Sequence, residues 1–275
     1  MRVIMCLCLV YVVATSAIYG QEPAQQDVVI DFEGNQAFSG QQLLDTANVC
    51  LAKSPRSQRY SPDALDYCLS RVRLFLANQG YLRATVGPPK TQESVEGVRI
   101  TVPVDEGARY RLGEITIEGS KLLSPKQILE MLDLKSGDVA SNEVILGWLD
   151  GKVGRVYADS GHIQYTYDVD PQYRLTSEGG NIVDFKISID EGRLFTVRKI
   201  EFVGNKHNPD QMLHRVLLIR EGDPFNQSLY EDSIRNLNQL GLFDEIDGDR
   251  DVELKPTDRR AQLDLIIHLK ERARL

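Results

Sequence analysis

The amino-acid sequence predicts an α+β protein of three tandem units, each running strand, helix, helix, strand, strand, with a three-stranded mixed sheet covered by two helices. Two observations carry that prediction. The first is a set of landmarks that returns in fixed order. Phe32-Glu33-Gly34-Asn35 reappears as Ile117-Glu118-Gly119-Ser120 and as Phe202-Val203-Gly204-Asn205, so its glycine recurs every 85 residues. Leu134-Lys135-Ser136-Gly137-Asp138 returns as Ile219-Arg220-Glu221-Gly222-Asp223, and Gly80-Tyr81 as Gly161-His162 and Gly241-Leu242. Each unit closes alike, on Val104-Asp105-Glu106-Gly107, Ile189-Asp190-Glu191-Gly192 and a weaker Leu269-Lys270-Glu271-Arg272. The second observation is the hydrophobic period, which switches between 2 and 3.6 within each repeat. The implied units are 27–107, 108–192 and 193–275, each of about 80 residues and able to hold its own core. A catalytic cleft occurs once, whereas a threefold repeat multiplies one surface. The pattern therefore favours binding over catalysis.

Ahead of the first unit, Val3 to Ala17 carries no charge and ends on Ala14, Thr15, Ser16 and Ala17. That is the form of a signal peptide over 1–20, with a polar leader to about residue 26. An uncleaved membrane anchor is the rival reading, because about 17 apolar residues is the lower limit for spanning a bilayer.

Each unit opens with a strand marked by alternation: Val28, Ile30 and Phe32, then Ile115 and Ile117, then Ile200 and Phe202. The Gly-Asn or Gly-Ser that follows ends the strand where a positive φ is needed. Ser124-Pro125 and Ser61-Pro62 are helix starts, a capping hydroxyl ahead of a proline at the first helical position. The second helix of unit one buries Leu65, Cys68, Leu69, Val72 and Leu76; its counterparts carry Ile145, Leu149, Val153 and Val156, and Leu229, Ile234, Leu237 and Leu240. Gly80, Gly161 and Gly241 suit the left-handed cap that ends each of these helices. Two strands close each unit. In unit two they are expected near Gln164 to Val169 and Ile182 to Ile189, joined by a loop holding Pro171, Glu178, Gly179 and Gly180; in unit three the last strand is Leu263 to Leu269.

The formal net charge of −8 and the lack of a basic cluster argue against a nucleic-acid partner. No phosphate loop, His-Glu-x-x-His helix, Cys-x-x-Cys pair or nucleophile elbow occurs, and His162, His207, His214 and His268 lack ligand spacing, so no catalytic residue, metal or cofactor is expected. Asn226-Gln227-Ser228 has the form of a glycosylation sequon but falls where a helix cap is expected. Trp148, the only tryptophan, is expected to pack in a core or between units. Beyond the leader, Cys50 and Cys68 remain, a disulfide candidate in an exported protein, the alternative being two buried thiols. Unit one lacks the Gly-Asp turn and has instead a polar insertion from Lys53 to Tyr60.

The strand order, the Gly-Asn after strand one, the Gly-Asp between helices and the Gly-Tyr, Gly-His or Gly-Leu-Phe after helix two resemble the polypeptide-transport-associated (POTRA) domain. Three copies resemble the periplasmic part of the BamA-type and related Omp85 outer-membrane assembly factors, over essentially all of 27–275, and the sequence stops where that family begins its β-barrel. The resemblance implies a non-enzymatic periplasmic scaffold, peripheral to the outer membrane. Its implied partners are unfolded outer-membrane proteins or a β-barrel assembly protein. An inner-membrane-anchored scaffold of a division or secretion complex is the alternative. The resemblance also implies that the last strand of each unit is central and the second strand an edge, open to an added strand. The edges nominated are Tyr81 to Val86, with Tyr81, Arg83 and Thr85, and Gln164 to Val169, with Gln164, Thr166 and Tyr167. The unit-three edge, placed near Glu245 to Asp249, is acidic and a weaker platform.

Overall fold

The computed structural model describes residues 27–51, 61–94, 97–257 and 261–272, apart from the side chains of 27 and 49–51. The signal peptide, the leader and the Lys53 to Tyr60 insertion lie outside the described residues. Three sheets follow one another along the chain, each over its own apolar core.

In unit one, β1 (Asp27–Glu33) lies parallel to the central β4 (Gly97–Asp105), and the other side of β4 carries β2 (Thr85–Val86) and β3 (Lys90–Ser94). The second strand is split in two because Gly87-Pro88-Pro89 interrupts the ladder and Pro has no N–H to give it. In unit two the order is β5 (Arg111–Glu118), β7 (Asn181–Asp190), β6 (Thr166–Leu175); in unit three it is β8 (Thr196–Val203), β10 (Gln262–His268), β9 (Val252–Thr257). First and last strands are parallel in every unit, and the second strand runs antiparallel on the outside.

Two helices cover each sheet. Unit one has α1 (Gly40–Leu51) and α2 (Pro62–Asn78), whose cap Ser61 accepts the Ala64 N–H and whose five predicted core residues are all buried. Unit two has α3 (Pro125–Glu130), started by a Ser124–Gln127 capping box, and a second helix of three parts: α4 (Asn142–Gly147), a π turn (Trp148–Val153) and α5 (Gly154–Asp159). The wide turn adds a residue to the helical period, so the stripe runs Ile145, Leu149, Val153 and then Tyr157, not Val156. Trp148 is buried in this core and donates from Nε1 to the Ile128 carbonyl at 3.1 Å. Unit three has α6 (Asp210–His214) and α7 (Gln227–Gln239), capped by Asn226; Tyr230 and not Leu229 enters the core, which leaves Leu229 exposed.

Two loops expected from the sequence are otherwise placed. Pro171 stands inside β6, opposite Phe185, because an edge strand can lose an outward N–H without breaking its inner ladder. Glu245 to Asp249 is not a strand: Ile246 is buried there and exchanges two hydrogen bonds with the Asn238 side chain, and the edge of unit three is β9.

The repeated glycine after strand one is a close approach. Gly34, Gly119 and Gly204 have φ of 91°, 86° and 102°, and a Cβ on them would lie 2.4, 2.1 and 2.0 Å from the carbonyl oxygens of Val104, Ile189 and Leu269. Only glycine lets the chain cross its central strand at that distance.

Candidate functional site

The glutamate of the closing landmark locks the loop that follows this crossing. Glu106 accepts the N–H groups of Gln36, Ala37 and Phe38; Glu191 accepts those of Lys121 and Leu122 and the Tyr157 hydroxyl; Glu271 accepts those of His207 and Asn208. A carboxylate taking several backbone N–H bonds is stabilised in its charged form. Burial works to raise the Glu191 carboxyl, and the bonds from Leu122, Lys121 and Tyr157 outweigh it and hold the group low. The His207 backbone N–H and ring bring Glu271 down to about 2.

The glycines that cap the second helices of units one and two join each of these units to the next. The Gly80 carbonyl accepts the Tyr110 N–H at 2.8 Å, and the Gly161 carbonyl accepts the Phe195 N–H at 2.8 Å. The Gly-Asp turn belongs to the same joint. Gly137 N–H donates to the Leu112 carbonyl and Leu112 N–H to the Asp138 carbonyl; Gly222, Val197 and Asp223 repeat the pattern. Two residues past the capping glycine, Leu82 packs against the core of unit two and Ile163 against that of unit three. Gly241 has nothing within 4 Å of a would-be Cβ and lines an open cavity of about 750 Å³ with Gly204, Lys206, His207, Leu242 and Arg272. The landmarks that recur along the sequence thus build crossings, locks and joints.

What the recurring landmarks leave open is the outer edge of each sheet. On unit one the edge is broken by Gly87-Pro88-Pro89. Tyr81 lies before β2, half-buried, with its ring edge-on to Phe38 at 5.7 Å. Arg83 also lies before β2, its guanidinium 5.4 Å from the centre of the Tyr173 ring in unit two. Thr85, exposed, starts the two-residue strand opposite Asp105. Of this nominated trio, only Thr85 is on a strand.

The edge of unit two is the longest. β6 pairs with β7 over ten residues, from Thr166 opposite Asp190 to Leu175 opposite Asn181. Gln164 precedes the strand, exposed, with its Cβ against Gly192. Thr166 is exposed at its start, and Tyr167 is half-buried, its hydroxyl donating to Asp150 Oδ1 at 2.6 Å. Burial and then that bond push the Tyr167 phenol up to about 12. Tyr165 stacks on Tyr157 at 4.6 Å and reaches the Leu149 carbonyl. Strand and helix therefore meet through Tyr165, Tyr167 and the π turn, which walls one side of the edge. The sequence missed Asp170 to Leu175 as edge residues because Pro171 reads as a loop. The edge of unit three, β9, carries Pro256, and its Glu253 is held by Lys255 and His268.

Cys68 is fully buried on α2 and disulfide-bonded. The side chain of Cys50 lies outside the described residues. Among the described residues no helix is long and apolar enough to cross a membrane.

The family model for POTRA, described as a surface antigen variable number repeat, matches residues 29–107, 110–192 and 195–272. The chain belongs to the POTRA family. Among relatives of this POTRA chain, a putative outer membrane protein assembly factor of Treponema pallidum is 28% identical over 260 residues, 92% of this chain and 30% of that protein. Outer membrane protein assembly factor BamA of Neisseria meningitidis serogroup B is 29% identical over 254 residues, 89% of this chain and 31% of that protein. The chain thus spans about a third of the length of these curated relatives. In fold it is similar to the crystal structure of Haemophilus influenzae BamA POTRA3-5, with a TM-score of 0.66 at 21% identity, covering 90% of this chain and 96% of that one.

Proposed function

We propose that this protein is a non-enzymatic, periplasmic polypeptide-binding scaffold in outer-membrane protein assembly, peripheral to the outer membrane, and that it takes up a substrate or partner strand by addition to β6. The observation that carries this reading is the edge itself. β6 presents ten residues whose inner side is saturated by β7 and whose outer side meets no strand among the described residues. An added strand reads mainly backbone groups, which suits a scaffold that must accept many sequences. The π turn and the Tyr165–Tyr167 pair would give the incoming chain an apolar wall on one side. Pro171 limits the ladder to its two halves, and Thr166 to Asp170 is the half without proline.

Site-specific photo-crosslinking in the native cell tests the reading, with the probe at Thr166 and a control probe on the exposed face of α2. The expected result is adducts at Thr166, and not at the control, with nascent barrel proteins or an outer-membrane assembly factor. Adducts confined to inner-membrane proteins would reassign the chain to an anchored scaffold, and no edge-specific adduct would remove strand addition here. A Cys50–Cys68 bridge belongs to the same proposal, because an oxidising periplasm permits it. Thiol titration of unfolded protein before and after reduction should then show two additional thiols.

A further inference from the structure

The β6 edge has two unlike faces. Along its proline-free half, Tyr167 and Val169 are half-buried against the helices, while Thr166, Asp168 and Asp170 are exposed on the uncovered face of the sheet. That uncovered face is acidic next to the edge. Asp168 stands opposite Ser188, Asp170 opposite Lys186 and Thr166 opposite Asp190. The one cation in this row, Lys186, is ion-paired at 3.0 Å with Glu118 on the far strand. Asp170 accepts only from the neutral Gln172 amide, at 2.7 Å, and Asp168 has no cationic partner among the described residues.

The second-strand edges of the other two units differ. On β9 the acidic Glu253 is already ion-paired with Lys255 at 2.6 Å, and His268 Nε2 lies 2.7 Å from its carboxylate. On β3, Lys90 and Glu93 balance one another in charge, and the strand is short. Among these three second-strand edges, unpaired charge of one sign is therefore found on the one that is also longest. Side chains of an added strand would alternate like those of β6, one set meeting Tyr167 and Val169 and the other meeting Asp168 and Asp170.

We propose that the β6 edge selects amphipathic strands whose alternate residues are apolar and cationic, the Lys or Arg residues lying over Asp168 and Asp170. This rests on strand addition at β6 and adds to it a charge rule. Carboxylates on an edge can serve merely to repel other edges; the charge rule differs in requiring preference for a cationic strand over a neutral one.

The test uses the full chain and three labelled ten-residue peptides of alternating Val and X, where X is Lys, Thr or Glu, with binding followed by fluorescence anisotropy. The Lys peptide is expected to bind about 5-fold tighter than the Thr peptide, since exposed charge pairs contribute modestly, and the Glu peptide weakest. The preference should vanish in the D168N/D170N double variant, with the Thr peptide unchanged, and should shrink at 1 M salt, where the screening length is about 3 Å. Both aspartates are exposed, and circular dichroism checks that the variant is folded. Equal binding of Lys and Thr peptides to the unsubstituted protein, or a Lys preference that survives in D168N/D170N, would overturn the charge rule and leave strand addition standing. Binding by none of the three peptides, together with no adduct at Thr166, would overturn both.

Discussion

The joint between units one and two and the joint between units two and three share a backbone plan and differ in the side chains laid over it. Both place a helix-capping glycine carbonyl against an aromatic residue's N–H at 2.8 Å, and both insert an apolar residue into the next core. Over the first joint lies a layer without an ion pair among the described residues. Asn78 exchanges hydrogen bonds with the backbone and carboxylate of Glu143, and Tyr173 sits against Tyr110 at 4.7 Å and under Arg83. Over the second lies an ionic one. Arg155 grips both oxygens of Glu231 at 2.7 and 2.6 Å, and Asp159 takes the Ser228 N–H and hydroxyl at 2.7 and 2.8 Å. Backbone approach needs glycine and so recurs in sequence, whereas the covering layer needs only complementary partners and drifts. The two joints should therefore hold equally by geometry and respond unequally to acid and salt.

The largest effect is expected at the shared glycines. Gly80 and Gly161 have φ of 91° and 83°, and a Cβ would lie 3.0 Å from the Tyr110 oxygen in one case and 2.8 Å from the Phe195 oxygen in the other. Gly161 also meets the Phe225 oxygen at 3.3 Å, so Gly161→Ala should cost more than Gly80→Ala, each about 2 to 4 kcal/mol. Gly241→Ala shares the positive φ without the contact and should cost about 1 kcal/mol. Urea unfolding combined with spin-label distances between adjacent units checks the ranking. Equal costs at all three positions would mean that the caps, and not the joints, set them.

Next come the side chains that start the following unit's second helix. Asp159 satisfies two groups at that helix start and accepts the Asn226 Nδ2 amide at its own carbonyl, so Asp159→Ala should loosen the second joint by about 1 to 2 kcal/mol. Its counterpart Asn78→Ala should loosen the first by about 0.5 to 1 kcal/mol, since Glu143 can turn to water. A reversed order in unfolding and in spin-label width would contradict the division between a joint covered by an ion pair and one covered without.

Tyr173→Ala acts on the first joint alone. Removing one aromatic pair and one cation over a ring should cost about 1 kcal/mol and broaden distances between units one and two. Distances between units two and three should stay as they are, and broadening there would show that the joints are coupled.

Much of the fold was legible because strand alternation and Ser-Pro helix starts are local signals. Val28, Ile30 and Phe32, Ser61-Pro62, and Leu65 through Leu76 all fold as their spacing predicts. The functional edge was legible only in part. The strand could be named as far as Val169, with Thr166 and Tyr167, but Pro171 concealed β6 beyond that point, since only pairing shows that an outward N–H is expendable there. Arg83 looked like an edge residue and proved to lie on Tyr173, an inter-unit contact with no sequence signal. Glu106, Glu191 and Glu271 were visible as a motif and not as locks, because their partners are backbone N–H groups of another loop 63 to 70 residues away. The π turn, which decides between Val156 and Tyr157, has no local signature in the sequence.

The smallest predicted effect is the one that most sharply separates the joints. The Arg155 hydrogen bond holds the Glu231 carboxyl at about 2, against an ordinary 4.5. A carboxyl lowered on folding stabilises the joined state above its free value and loses that contribution as pH falls through its folded value. The second joint should therefore weaken between about pH 4.5 and 2, and the side chains of Arg155 and Glu231, 43% and 40% exposed, limit the loss to about 0.5 kcal/mol. Whole-chain acid stability cannot isolate it, because Glu271 and Asp251 are also held near 2 in unit three. Spin-label distances across the second joint can, recorded from pH 6 to pH 2.5 for the unsubstituted chain and for Glu231→Gln. The unsubstituted distribution should broaden in acid while that of Glu231→Gln starts broader and stays flat, because the amide has no proton to gain in this range. Equal acid broadening in both proteins would mean that the pair contributes nothing to the angle between units, leaving the glycine joint and Asp159 to set it.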